Sequence, residues 1–181
     1  MSPTNKQSWE IPETAFGLTS VEQLLQIRNL SDWSAEKSQS IMNEPQYTIL
    51  LVEDDDNDVL LLQRAFRKAG LTHALQTVSD GEQAIAYLSG QPPFNDRAKY
   101  PFPMLMLTDL KMPRKTGLEV LAWLRQQPSE LKNLPVIVLT SSRLTDDVDQ
   151  AYDLGATSYM AKPSGDFDGL AQMVKSLEAQ K

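Results

Sequence analysis

Four short stretches of this sequence end in side chains able to do chemistry. Glu53-Asp54-Asp55-Asp56 sets four carboxylates in a row behind an apolar run. Thr108-Asp109 ends a second run, Thr140-Ser141 a third, and Lys162-Pro163 a fourth. Carboxylates forced together repel, so they need a cation, or one of them must take up a proton. The chain has no cysteine, and its one histidine, His73, lies in none of these stretches. That excludes thiolate zinc sites, iron–sulfur clusters, disulfides and a cysteine nucleophile. An all-oxygen set suits Mg2+, which takes a few carboxylates and keeps several waters. A lysine and a hydroxyl at the same mouth suit an anion such as a phosphoryl group. A carboxylate can itself be the nucleophile in phosphoryl transfer, with metal and lysine offsetting the charge on the transferred group. The expected chemistry is a Mg2+-dependent acyl-phosphate site, one carboxylate accepting and the others binding metal.

These residues need elements that deliver them to one place. TILLV (48–52), MLMLT (104–108) and VIVLT (136–140) are short apolar runs of the kind buried on both faces of a parallel sheet. ALQTV (74–78) and TSYMA (157–161) fit the same role less strongly. Between them lie helix patterns over 58–70, 80–90, 116–127 and 146–155, and a last one from 166. Gly70, Gly90 and Gly155 stop three of them, Asp80 caps the second, and Thr116-x-x-Glu119 is a capping box. In the last, Phe167, Leu170, Val174 and Leu177 share one face. Strand–helix alternation repeated five times predicts an α/β fold, a parallel sheet with helices on both faces. In such sheets the site forms outside the carboxyl ends of the strands, where the four chemical stretches sit. Residues 89–103, with four prolines, are expected to be a long surface loop.

Composition bounds the function. The 181 residues carry 17 basic and 24 acidic side chains, a net charge of −7, which disfavours phosphate backbones and anionic membranes as partners. No apolar run approaches the roughly 20 residues of a membrane-spanning helix. The opening MSPTNKQSWE lacks the apolar core of a secretory signal, so a cytoplasmic protein is expected. Residues 1–46 differ from the rest, with three prolines and no strand-like run. They are expected to form a partly helical extension, and 47–181 a single domain. Within the extension, Ser20-x-x-Gln23 opens a helix pattern, and Trp9, Phe16 and Trp33 supply apolar surface. That surface is expected to pack on the same chain, across a dimer, or on a partner.

LLVEDD (50–55), TDLKMPRKTGLEVL (108–121), VLTSS (138–142) and LGATSYMAKP (154–163) together resemble the receiver domain of two-component response regulators, the CheY-like fold. VEDDDNDVLLLQRAF (52–66) and DLKMPRKTGLEVL (109–121) are most similar to small stand-alone regulators paired with phytochrome-type sensor kinases. The resemblance implies a five-stranded doubly wound, flavodoxin-like sheet in the order 2-1-3-4-5. It implies Asp109 as phosphoacceptor. Asp54, Glu53, Asp109 and the backbone carbonyl of Lys111 would hold Mg2+, and Lys162 would contact the phosphoryl oxygens. Thr140 and Tyr159 match the switching hydroxyl and aromatic, and Pro163 matches a cis-proline. It further implies a histidine kinase as phosphodonor, slow loss of the phosphoryl group, and output through a protein target or a self-dimer. The face of the fourth helix, fifth strand and fifth helix is the expected contact. No separate cofactor-binding site is expected. Lys111 and Ser142 depart from the commonest pattern. A lysine two residues beyond the acceptor could shield the phosphoryl group or attract anions.

Each residue has a plainer reading. Asp54 to Asp56 could be a solvated acidic turn at a helix N-terminus, a reading that Asp55, Asp56 and Asp58 keep. Thr140 and Ser141 could be capping hydroxyls, Tyr159 a packed edge aromatic, and Met104, Met106, Met112 and Met173 core filler. A receiver used only for docking would keep the fold without phosphate transfer. A phosphatase or flavin protein on a similar fold is weakened by the absence of a second acid two residues after Asp109, and of a glycine-rich loop after the first strand.

Overall fold

The computed structural model describes residues 47–71, 74–141, 145–162 and 167–178. The N-terminal segment 1–46, His73, Ser142 and Pro163, with the readings placed on them, lie outside the described residues. Five strands appear: β1 (Thr48–Val52), β2 (Ala74–Val78), β3 (Leu105–Asp109), β4 (Val136–Thr140) and β5 (Ser158–Ala161). They alternate with α1 (Asp56–Lys68), α2 (Gly81–Ser89), α3 (Gly117–Arg125), α4 (Thr145–Asp153) and α5 (Asp168–Glu178). A one-turn helix, Ser129–Lys132, precedes β4. All pairings are parallel, in the order β2-β1-β3-β4-β5.

The period of two in a strand explains how the sheet is clothed. Ile49, Leu51, Leu105, Leu107, Ile137 and Leu139 point to one face and pack with Leu62 and Phe66 of α1, Phe167, and Leu170 and Val174 of α5. Leu50, Val52, Met106 and Val136 point to the other, against Tyr87 of α2 and Leu121 and Leu124 of α3. Val138 joins Ala151 of α4 and Leu110 in a smaller cluster on that face. The three central strands are buried at every position, whereas β2 and β5 are partly exposed edges. That is why the first three runs read as unbroken apolar stretches and the other two as weaker ones. Met106, Met112 and Met173 are core, and Met104 packs against it.

Element ends follow local chemistry. The helix expected from residue 58 begins at Asp56, because Asp55 caps it, accepting the Asn57 amide hydrogen at 2.8 Å. Strand β3 runs one residue later than the apolar run and ends on Asp109 itself. The capping box at Thr116 and Glu119 forms with both reciprocal bonds. The loop between α2 and β3 is fastened rather than loose. Arg97 donates to the Tyr87 and Leu88 carbonyls at 2.8 and 2.9 Å at the end of α2, where the Tyr87 carbonyl also accepts the Gly90 amide. Tyr87, Phe94 and Tyr100 meet in tilted and edge-to-face contacts as an aromatic cluster. This loop lies at the end of the sheet away from the acids, as a surface insertion should.

Arg125, at the end of α3, binds carbonyls of two other segments. It donates to Lys132 O at 2.8 Å, Leu134 O at 3.2 Å, and Gly155 O at 3.2 and 2.7 Å. Burial holds its pKa below the usual arginine range.

The start of α3 admits no side chain at Gly117. A Cβ there would lie 2.1 Å from the Asp109 carbonyl oxygen and 3.0 Å from Thr108 Oγ1. The Gly117 amide meanwhile donates to Leu110 O at 3.1 Å, closing the loop after β3. Because the obstacle is backbone, no rotamer change relieves it. We expect Gly117→Ala to lose about 3 kcal/mol of stability, the upper range of overpacking. Urea unfolding measures this, and a loss under about 1 kcal/mol would show that the loop yields.

Candidate functional site

The carboxyl ends of β1, β3, β4 and β5 bring their polar residues together. Glu53 follows β1, is 5% exposed, and accepts the Asp55 amide at 3.2 Å. Asp54 beside it is exposed. Asp109 closes β3, 6% exposed, and accepts the Lys111 amide at 3.2 Å. Carboxylate oxygens of Glu53, Asp54 and Asp109 lie within 4.8 Å of one another. This all-oxygen, partly open cluster fits a hard divalent cation that keeps water ligands. Thr140 ends β4 fully buried, one residue beyond Leu139, the register partner of Asp109.

Lys162 follows β5 and reaches across the sheet end. Its Nζ lies 2.6 Å from Asp109 Oδ2, 2.7 Å from Glu53 Oε2 and 2.9 Å from Asp58 Oδ2. Burial alone would lower its pKa. Hydrogen bonds to Asp109, Glu53 and Asp58 outweigh that and hold the ammonium above the usual lysine range. Burial pushes Glu53 up from its ordinary value, only partly countered by Lys162 and the Asp55 amide, with Asp109 adding to the rise. Three carboxylates thus surround one ammonium, with Asp54 beside two of them, and the remaining negative charge calls for a second cation.

The other expected residues sit around this centre. Tyr159 packs with Leu110, Val138 and Ala151. Burial raises its hydroxyl pKa, and the nearby Asp147 and Asp109 add to the rise. The Lys111 side chain is drawn sideways, its Nζ 3.7 Å from Asp147 Oδ2 on α4.

Three residues of the site region escaped the reading of the sequence as site members. Asp58 was legible only as a helix-opening acid, yet it holds Lys162. The signal is its spacing: it stands in the first turn of α1, where side chains lean back toward the helix N-terminus and the end of β1. The other two are Asp80 and Arg114. Asp80 is fully buried, caps α2 through the Gln83 amide at 2.9 Å, and is ion-paired to Arg114 in the loop after Asp109. Burial would raise the Asp80 pKa, but Arg114 and Gln83 hold it below the usual carboxylate range. Arg114 itself adopts a left-handed φ of 63°. Its ion pair, with the bond from the Gly81 amide to Lys115 O, fixes the loop that carries Lys111.

A doubly wound five-stranded sheet with paired acids after β1, an aspartate ending β3 and a lysine after β5 defines a class. The chain belongs to the response regulator receiver domain family, whose profile matches residues 49–175. Among its relatives is the response regulator Rcp1 of Synechocystis, 39% identical over 137 residues, covering 76% of this chain and 90% of Rcp1. Among solved structures it is similar to the phosphorylated cyanobacterial phytochrome response regulator RcpA, at 38% identity and a TM-score of 0.64, covering 74% of this chain and 91% of that one. It is also similar to the Mn2+-bound form of Rcp1, at 38% identity and a TM-score of 0.62, covering 74% and 92%. Among the described residues no helix is long and apolar enough to cross a membrane.

Proposed function

We propose that this protein is a phosphorylation-switched regulator that takes a phosphoryl group from a sensor histidine kinase onto Asp109, with Mg2+ at Glu53, Asp54, Asp109 and the Lys111 carbonyl. The observation that carries this reading is Lys162 Nζ at 2.6 Å from Asp109, inside a ring of carboxylates. The likeness to phytochrome response regulators supports a kinase of that type as donor.

In the transfer, an Asp109 carboxylate oxygen attacks phosphorus. The P–O bond forms as the bond from phosphorus to the histidine nitrogen breaks, and the electron pair stays on the imidazole. Mg2+ held by Glu53, Asp54 and Asp109 would supply positive charge to the phosphoryl oxygens. Lys162 supplies a second, fixed positive charge through a charge-assisted hydrogen bond. Glu53 keeps the lysine aimed, and the Lys111 amide orients the acceptor carboxylate. Thr140 then offers a neutral hydrogen bond to the new oxygens, and Tyr159 follows it. Added charge on Asp109 biases the surface of α4, β5 and α5 between two arrangements, and a protein partner or a second copy reads the result. The test is incubation of the protein with acetyl phosphate and Mg2+, followed by intact mass. One added phosphoryl group that requires the metal is expected. No adduct at saturating Mg2+ would leave a docking module that transfers no phosphate.

A further inference from the structure

The lysine at the centre of the site has one partner that is not in the candidate metal cluster. An ammonium has three hydrogens, and among the described residues Lys162 meets three carboxylates: Glu53 after β1, Asp109 on β3, and Asp58 on α1. Glu53 and Asp109 also belong to the group of oxygens that can share a cation; Asp58 does not. When a cation takes up the charge of the first two, Asp58 remains as the counter-ion of the lysine. It stands on the first turn of a thirteen-residue helix, so it is held in place by backbone.

We propose that Asp58 is a positioning residue that restrains Lys162, favouring the cation and opposing the phosphoryl anion at Asp109. The inference rests on the phosphoacceptor reading above. The physical argument is one of sign. A phosphoryl oxygen bound to the Lys162 nitrogen would lie about 5 Å from the Asp58 carboxylate, given two ordinary hydrogen bonds on one nitrogen. At that range two negative charges in a partly solvated site repel strongly enough to change an affinity several-fold. The same carboxylate attracts a cation bound nearby. Asp58 therefore acts with opposite sign on the two ligands of the site, whereas a purely structural loss would weaken both.

The test uses the full chain with Asp58→Asn, which keeps the shape and removes the charge. Asp56→Asn is the control, an acid of the same helical turn that shares the helix-dipole effect but not the lysine. Mg2+ is titrated by calorimetry. Beryllium trifluoride, which mimics a phosphoryl group on a carboxylate, is titrated at saturating Mg2+. We expect Asp58→Asn to bind Mg2+ more weakly, by roughly threefold, and beryllium trifluoride roughly fivefold more tightly, the second as removal of one unit charge about 5 Å away in water predicts. Asp56→Asn should move neither by more than about twofold. Any result in which the two affinities of Asp58→Asn do not move in opposite directions overturns the inference. If the unaltered protein fails to bind beryllium trifluoride, or binds it equally well with Asp109→Asn, the phosphoacceptor reading falls as well.

Discussion

Asp109→Asn abolishes labelling by acetyl phosphate while the protein stays folded. That is the expected result, and the surroundings of Asp109 give the reason. The amide keeps the size of the carboxylate and an oxygen for the Lys111 amide, which donates at 3.2 Å. Lys162 keeps Glu53 and Asp58, so no buried charge is stranded. What disappears is the anionic nucleophile, since an amide oxygen forms no stable acyl phosphate. The rate should fall at least about a hundredfold, with urea unfolding close to that of the parent. A phosphoryl adduct gained by the variant at the parental rate would place the acceptor elsewhere. Asp54→Ala should differ in kind. It keeps the nucleophile and removes a metal ligand, so labelling slows but recovers in part as Mg2+ is raised.

The second large effect belongs to Lys162→Met. The side chain is only 10% exposed, and methionine fills much of its volume without the charge. Glu53 and Asp109, both nearly buried, then face each other and Asp54 with no cation between them. Removing one partner of a buried ion pair typically costs about 3–5 kcal/mol, because the other is left uncompensated. The metal-free variant should lose about that much by urea unfolding at neutral pH. Mg2+ should restore roughly 2–3 kcal/mol at a hundredfold excess over its dissociation constant for the variant. The variant can still be phosphorylated once metal is bound. It should lack the change in hydrogen exchange around α4 that is expected of the parent on phosphorylation. Parental stability without metal, or a full α4 response, would refute the role given to the lysine.

The sequence was most informative where function and hydrophobic pattern coincide. The central strands are buried on both faces, so their apolar runs were unmistakable, and the acids, hydroxyl and lysine that end the runs fell at one edge of the sheet. Strand limits were off by a residue at β3, because the ladder is set by hydrogen bonds to β4, not by the last apolar side chain. Side-chain aim was less legible. The spacing of Asp58 in the first turn of α1 aims it at the end of β1, but does not say that it reaches Lys162 more than a hundred residues later. The pair of Asp80 and Arg114 was invisible for the same reason. It joins two loops separated by 34 positions, and periodicity carries no information about such a meeting. Lys111 shows the limit from the other side. Its unusual type was plain in the sequence, but its direction toward α4 depends on Asp147, a residue of another element.

The Arg125 contacts have a mechanical consequence. The far end of α4 runs into Gly155, whose carbonyl takes two donors from one half-buried guanidinium rooted in α3. Toward Asp109, the first turn of α4 meets the β3–α3 loop through the Lys111–Asp147 contact at 3.7 Å, weak because the lysine is largely exposed. A helix held firmly at one end and more weakly at its first turn is expected to swing rather than slide along its axis. A displacement begun beside Thr140 is then expected to be largest at the acidic first turn, at Asp146 and Asp147, and to fade toward Gly155. Arg125 is the fulcrum of that lever, and its leverage lies in holding still.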